Sequence, residues 1–200
     1  MSKKLTTLLV AGAAAIALSL TGCASDPLAQ QYREGSNKNY IAGDGSITEI
    51  TPDNRGEPID FSGVTSQGDS VTSDQFLGHV LVVNFWYAGC APCRAEAPEL
   101  EQVYTETAPQ GVNFVGVNVR DQAATVDTFN KRFGITYPSI IDQDGGAQLA
   151  FAAQVPPNAV PTTLILDAKG RVAARILGQL KDPSILSTLI KDISAESSAQ

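Results

Sequence analysis

Histidine, cysteine and clustered positive charge are the scarce features of this 200-residue chain. One histidine and three cysteines are too few for a closed four-ligand zinc site if one cysteine serves another purpose. Fourteen lysines and arginines stand against 21 aspartates and glutamates, and no basic block could neutralise a run of phosphates. We therefore expect no metal site, no bound cofactor and no nucleic-acid partner.

A long uncharged stretch opens the chain, from Leu5 to Leu20, directly after two lysines. A charged region followed by an apolar region is typical of an export signal. Leu20-Thr21-Gly22-Cys23 comes next and resembles the bacterial lipobox, in which cleavage before the cysteine accompanies its lipidation. We expect removal of residues 1–22 and membrane anchoring through lipid on Cys23. The alternative is an uncleaved transmembrane helix, for which the stretch is short.

The composition changes between Ala24 and about Pro58, where small and polar residues dominate without a sustained hydrophobic period. Together with the lipidated cysteine, residues 23–58 are predicted to form a flexible tether between the membrane and a domain. Scattered isoleucines, among them Ile47 and Ile50, leave open an extra hairpin packed on the domain.

Alternating and apolar segments predict the strands and helices of a domain at 59–193. Two alternating segments within 59–72 predict a β-hairpin that precedes the main sheet. Apolar runs predict buried strands at 79–86 and 112–119. Helical spacing predicts helices at about 92–107 and 123–133.

The second half of the domain is predicted to be antiparallel. Short extended and helical pieces are predicted at 138–142 and 145–151, and a strand pair at 162–167 and 172–177. Asp182 should cap a last helix that ends at about residue 193, and residues 194–200 should fray. The whole order predicts an α/β fold, with a mixed sheet covered by helices on both faces.

Cys90 and Cys93 lie between a predicted buried strand and a predicted helix. Helix N-termini stabilise thiolates through free backbone N–H groups and the macrodipole. Two cysteines with this spacing can close a small disulfide, with the outer sulfur exposed and the inner one shielded. We therefore predict a redox-active disulfide in which Cys90 is the nucleophile and Cys93 the resolving thiol.

Two other uses of the pair are possible from the residues alone. A permanent structural disulfide is disfavoured because so small a loop constrains the unfolded chain very little. Copper bound by the two sulfurs stays open, although His79 lies at the far end of the preceding predicted strand.

The segment from Asn84 to Pro98, NFWYAGCAPCRAEAP, resembles the active-site segment of thioredoxin-fold proteins of the TlpA and ResA type. These are extracytoplasmic thiol-disulfide oxidoreductases. A second motif, Val160-Pro161-Thr162-Thr163, is similar to the family's cis-proline loop, which faces the cysteines. The resemblance covers about residues 59–193 and implies a thioredoxin-like fold.

The resemblance also implies roles for residues around the cysteines. Glu96 would tune the pair, and its position three residues after Cys93 puts both on one helix face. A cis peptide before Pro161 would turn the backbone of Val160 outward as an edge for an extended substrate segment, with Thr162 beside it.

Residues 86 and 89 bear on contact with a substrate. Trp86 is expected either to form part of an apolar platform beside the sulfurs or to be a plain core residue. Gly89 stands where the family usually has tryptophan, so contact surface is reduced there.

Asn84 occupies the position of a buried aspartate in cytoplasmic thioredoxins, so proton exchange would depend on Glu96 or water.

These features predict a monomeric, membrane-anchored reductase on the extracytoplasmic face of the cell membrane. The Cys90 thiolate would attack a protein disulfide, and Cys93 would then release the reduced protein. The resemblance implies apocytochrome c as a substrate and a membrane thiol carrier of the CcdA or DsbD type as electron donor.

Three rival functions remain. The same pair could act as an oxidant of secreted proteins, although it encloses Ala91-Pro92 and not the histidine of many oxidants. A peroxiredoxin-like peroxidase is disfavoured because its Thr-x-x-Cys arrangement does not occur here. A copper-carrying assembly lipoprotein is disfavoured because no histidine follows His79.

Overall fold

The computed structural model describes residues 40–42, 47–156 and 159–198. The strands are β1 (Tyr40–Ala42), β2 (Ile47–Ile50), β3 (Ser62–Val64), β4 (Ser70–Thr72), β5 (Leu81–Trp86), β6 (Asn113–Asn118), β7 (Ser139–Ile141), β8 (Thr162–Leu166) and β9 (Val172–Leu177). The α-helices are α1 (Ala91–Thr107), α2 (Ala123–Phe133), α3 (Gly146–Ala150) and α4 (Pro183–Ser198). Short 3-10 turns occupy Pro52–Asn54, Ser73–Phe76 and Ala108–Gln110.

Seven strands form one mixed sheet in the order β1-β2-β9-β8-β5-β6-β7. Strands β5, β6 and β7 are parallel, and β8 joins β5 on its other side in the antiparallel direction. All six residues of β5 are buried, as its continuous apolar run predicts for a central strand. Strands β3 and β4 form the predicted separate hairpin, whose turn contains Gly68 at a positive φ of 92°.

Side chains of β5 alternate between two cores, one on each face of the sheet. Val82 and Trp86 point to a core that also contains the two cysteines and buried residues of α1, α2 and α4; we call this side the disulfide face. Val83 and Phe85 point to a core shared with α3 and the β3–β4 hairpin, which we call the aromatic face. The predicted mixed sheet with helices on both faces is therefore confirmed.

Residues 47–58 are part of the domain, so the predicted flexible tether is wrong for these residues. The alternative of an extra hairpin packed on the domain is confirmed by strands β1 and β2. Strand β2 pairs with β9 in the antiparallel direction. The guanidinium of Arg55, whose side chain is only 3% exposed, donates hydrogen bonds to Asp167 at 3.1 Å and to Glu196 at 2.9 Å. The segment is attached to the domain by the side chains of Ile47, Ile50 and Arg55. These are too few and too scattered to form a hydrophobic period in the sequence.

The predicted signal peptide, Cys23 and the segments 24–39 and 43–46 lie outside the described residues. No helix within the described ranges is both long and apolar enough to cross a membrane.

Helix α4 continues to Ser198, so the predicted fraying from residue 194 is wrong for residues 194–198. The bond from Arg55 to Glu196 attaches this last turn to the N-terminal segment. At the other end, the Ser184 N–H donates to the carboxylate of Asp182 at 2.9 Å, which confirms the predicted cap.

Candidate active site

Cys90 and Cys93 form a disulfide at the N-terminus of helix α1. Cys90 is the N-cap residue, and its sulfur accepts a hydrogen bond from the backbone N–H of Cys93 at 3.2 Å. Pro92 lies in the first turn, where its missing N–H costs no helical bond. The structure therefore places the pair at the junction of strand β5 and helix α1, as the sequence predicts.

The two cysteines differ less in exposure than expected. Cys90 is 5% exposed and Cys93 is 2% exposed, so the predicted exposed outer sulfur is not seen in the disulfide form. Tyr87, Ala88 and Val160 pack against the buried cluster to which both cysteines belong.

The loop before Cys90 is attached to the domain from two sides. The Ala88 N–H donates to the carboxylate of Asp121 at 2.6 Å, and the Arg94 guanidinium donates to the Ala88 carbonyl at 3.0 Å. Asp121 also accepts from the amide of Asn118 at 2.9 Å. No local pattern predicts these contacts, because Asp121 and Asn118 come from the loop and strand after α1.

Glu96 is fully buried one helical turn after Cys93. One carboxylate oxygen accepts from the Asn84 amide at 2.9 Å, and the other accepts from the Leu180 backbone N–H at 2.8 Å. Asn84 also donates to the Thr163 hydroxyl at 3.0 Å. Strand β5 and the loop before α4 thus hold this carboxyl group, and strand β8 contributes by holding Asn84.

Burial raises the pKa of Glu96 from 4.5 to about 7, and the hydrogen bonds from Leu180 and Asn84 only partly oppose this. A carboxyl group with such a pKa is found in both protonation states near neutral pH. It can therefore accept a proton from a nearby thiol and return it without a large energetic cost.

The peptide between Val160 and Pro161 is cis, as the resemblance implies. Strand β8 begins directly afterwards, with Thr162 opposite Phe85 of β5. This loop therefore lies at the end of β5 from which the chain leads into α1. Thr162 is fully buried, and its hydroxyl donates to the Ala159 carbonyl at 2.6 Å. The Thr162 side chain therefore shapes the loop and is not available to a substrate, whereas Val160 is only half-buried.

Trp86 is a core residue, and the expectation that it offers a platform to a substrate is not supported. Its side chain is 4% exposed, and its ring centroid lies 4.3 Å from that of Phe129. The indole therefore packs against helix α2 and presents almost no surface to a partner.

Comparison with known proteins gives one family for most of the chain. Residues 47–190 match the Redoxin family. The thiol-disulfide oxidoreductase ResA of Geobacillus kaustophilus is 32% identical over 126 residues, which is 63% of this chain and 70% of that protein. The ResA of Geobacillus thermodenitrificans is 34% identical over 110 residues, or 55% of this chain and 61% of that protein.

Solved structures give the same fold. A DsbF homologue from Corynebacterium diphtheriae matches with a TM-score of 0.66 and 32% identity, covering 74% of this chain and 92% of that one. A secreted thiol-disulfide isomerase from Corynebacterium glutamicum matches with a TM-score of 0.67 and 26% identity, covering 76% of this chain and 95% of that one.

Proposed function

Since the chain belongs to the Redoxin family and to its ResA-like thiol-disulfide oxidoreductases, we propose that it reduces disulfides of other proteins at the extracytoplasmic face of the membrane. The observation that carries this proposal is the disulfide at the N-cap of α1, with Glu96 buried one turn behind it.

The reaction starts from the dithiol form. The Cys90 thiolate attacks one sulfur of the client disulfide, and the other client sulfur leaves and takes up a proton. Cys93 then gives its proton to the Glu96 carboxylate and attacks the sulfur of Cys90. The bond between Cys90 and the client breaks, the client thiolate takes a proton, and the enzyme ends as the disulfide. Two electrons pass from the enzyme to the client.

The surroundings of Cys93 favour the reducing direction. An ionised Glu96 nearby disfavours a second negative charge on Cys93, which is itself 2% exposed and poorly solvated. A poorly stabilised second thiolate makes the pair hold its disulfide more firmly and lowers its reduction potential, which opposes the stabilisation of the Cys90 thiolate by the helix N-terminus. Ala91 and Pro92, between the cysteines, add no positive charge that would reverse this effect.

The proposed setting is a lipid-anchored monomer whose signal peptide, residues 1–22, has been removed and whose Cys23 carries the lipid. The export-signal pattern supports this setting, and one similar protein is a secreted thiol-disulfide isomerase. An oxidising exterior requires a continuous supply of electrons, for which a thiol carrier of the CcdA or DsbD type is proposed. The resemblance to ResA supports apocytochrome c as the client.

The reduction potential of the Cys90–Cys93 pair tests the direction. We would equilibrate the full chain, with Cys23→Ser to leave only this pair, in defined thiol buffers. A potential near or below about −250 mV, in the thioredoxin range, supports a reductase. A potential near about −120 mV, as in strong oxidants, would contradict the proposal and favour oxidation of secreted proteins.

Membrane anchoring is tested separately by cell fractionation. The protein with Cys23 intact should be recovered with membranes, and the Cys23→Ser variant should leave the membrane fraction or remain unprocessed. Equal membrane recovery and identical processing of both proteins would contradict a lipid anchor on this residue.

A further inference from the structure

A small cavity lies against the disulfide on the side of helix α2 and strand β7. It is lined by buried side chains, among them Cys93, Trp86 and Ser139. Its volume is about 10 Å³, which is close to the smallest volume that holds one water molecule. The resolving cysteine therefore has a second neighbourhood, besides Glu96, in which a small polar molecule could contact it.

Polar groups converge at this cavity because residue 116 of strand β6 is glycine. A Cβ there would lie 2.8 Å from the indole nitrogen of Trp86 and closer still to the Ser139 hydroxyl oxygen. A larger residue would push these groups away, so Gly116 permits both to lie close to the strand.

Two residues that line the cavity carry a buried oxygen that has no partner in the part of the chain that the structure describes. The Ser139 hydroxyl oxygen and the Asn130 amide oxygen are buried and accept or donate no hydrogen bond among the described residues. Ser139 is 1% exposed, so bulk water does not satisfy it. Buried polar groups are costly without a partner, and a trapped water with two to four polar neighbours commonly supplies one.

We propose that the cavity is a site for one water molecule, held by Ser139 and Asn130, that donates a hydrogen bond to the sulfur of Cys93. The water accepts from the Ser139 hydroxyl and donates its two hydrogens to the Asn130 amide oxygen and to the sulfur. Both unpartnered oxygens are then satisfied. Ser139 and Asn130 are positioning residues, because they act on Cys93 through the water.

The water acts in the second half of the reaction, so this inference rests on the proposed role of Cys93 as the resolving thiol. The S–H bond of Cys93 breaks and its proton passes to Glu96. The bond between Cys93 and Cys90 forms while the bond between Cys90 and the client breaks, and the client sulfur leaves. A hydrogen bond from the water stabilises the thiolate that exists before the attack.

Stopped-flow reaction with 5,5′-dithiobis(2-nitrobenzoate) separates the two halves. The reduced full chain with Cys23→Ser should release thionitrobenzoate in a first phase, when Cys90 attacks, and in a second phase, when Cys93 resolves. In Ser139→Ala, the second phase should slow by about three- to tenfold, and its pH midpoint should rise, while the first phase is unchanged. Such a change is the kinetic equivalent of one buried hydrogen bond.

Ser66→Ala is the matched control. Its hydroxyl oxygen is also buried without a partner among the described residues, and its N–H donates to the Ser139 carbonyl, but it does not line the cavity. Both phases should match those of the parent protein. An unchanged second phase in Ser139→Ala, or an equal slowing in Ser66→Ala, would overturn the proposal.

Asn130→Leu is a second variant that should remove the same water. The double variant with Ser139→Ala should be no slower in the second phase than the slower single variant, because one water is lost only once. Additive losses would show that the two residues act separately and would contradict the shared site.

A high-resolution crystal structure of the parent protein decides the proposal even if the variants do not fold. Density for a water within about 3.2 Å of both oxygens is expected, and an empty cavity would overturn the inference. An oxidising potential would instead contradict the proposed direction of electron flow and would leave the crystallographic result unaffected.

Discussion

The two faces of the central sheet differ in polarity, although the same strands build both. On the aromatic face, Phe151 packs 5.2 Å from the ring of Phe61 and 5.4 Å from that of Phe85. On the disulfide face, the neighbouring residue of β5 is Asn84, which donates to the buried Glu96. A step of one residue along β5 thus separates an apolar cluster from a hydrogen-bonded carboxyl group.

The difference shows that burial serves two purposes in this domain. On the aromatic face it removes apolar surface from water, which favours folding. On the disulfide face it removes a carboxyl group from water, which raises its pKa and opposes folding when the group is ionised. The costly kind of burial lies where the proposed mechanism requires a thiol to exchange a proton.

The largest effect should come from the cysteines of the disulfide face. Cys90→Ala should lower disulfide reductase turnover by about 10³-fold or more, because no nucleophile remains. Cys93→Ala should still attack but should accumulate a covalent adduct with the client, detectable by mass spectrometry. Turnover retained by Cys90→Ala would place the chemistry elsewhere.

On the aromatic face, Phe151→Ala should lower the free energy of unfolding by about 3–5 kcal/mol, since it deletes a fully buried ring. The reduction potential of the cysteine pair should not change, because the ring lies across the sheet. Urea unfolding of the disulfide form measures the loss. Leu149→Ala is the control, because this neighbour is 77% exposed and should cost less than about 0.5 kcal/mol.

The pH dependence of stability should come from Glu96. The pKa of this group in the folded state, about 7, lies above its ordinary 4.5, so the folded state binds the proton more tightly. The free energy of unfolding should therefore fall as pH rises from about 4.5 through 7, by on the order of 3 kcal/mol.

Glu96→Gln should remove most of this dependence, as measured by urea unfolding of the disulfide form at pH 5 and pH 8. The exposed Glu106→Gln should keep the parent slope and serves as the control. Parallel pH profiles for the parent protein and Glu96→Gln would rule out Glu96 as the source.

The smallest effect should come from Arg55, which lies away from the Phe151 cluster on the aromatic face and from the Glu96 hydrogen bonds on the disulfide face. Its partner Asp167 follows the end of β8 that is opposite Pro161. Arg55→Met should lower the free energy of unfolding by only about 1–3 kcal/mol, because Asp167 keeps its ion pair with Arg171, and it should leave the reduction potential unchanged. The exposed Lys191→Met is the control, with a loss below about 0.5 kcal/mol. A shifted potential in Arg55→Met would mean that the two ends of the sheet are coupled.

The main elements could be predicted because their signals are local. Continuous apolar runs marked β5 and β6, and helical spacing marked α1 and α2 within one or two residues of their observed bounds. Strand β2 could be predicted only as an alternative, because four half-buried residues carry too little pattern and because its stability depends on pairing with β9, far along the chain.

The site divides in the same way. The spacing of Cys90, Cys93 and Glu96 within one helix made their proximity predictable. The bond from the Leu180 N–H to Glu96 joins residues 84 positions apart and depends on the tertiary fold, so no local pattern reveals it. Trp86 could not be assigned from sequence, because a buried indole and a contact indole follow the same strand pattern.

The pairing of β2 with β9 also shortens the sheet edge that is open to other copies of the protein, because the three-residue β1 replaces the six-residue β9 as the outermost strand. Without β2, the backbone N–H and C=O groups along one side of β9 would be open to strands of other molecules. At the opposite edge of the sheet, the β3–β4 hairpin covers β7 through the bridge between Thr65 and Ile140. A chain shortened to begin at residue 59 would keep Cys90 and Cys93 but would leave β9 as an open edge strand. We expect such a chain to aggregate more readily.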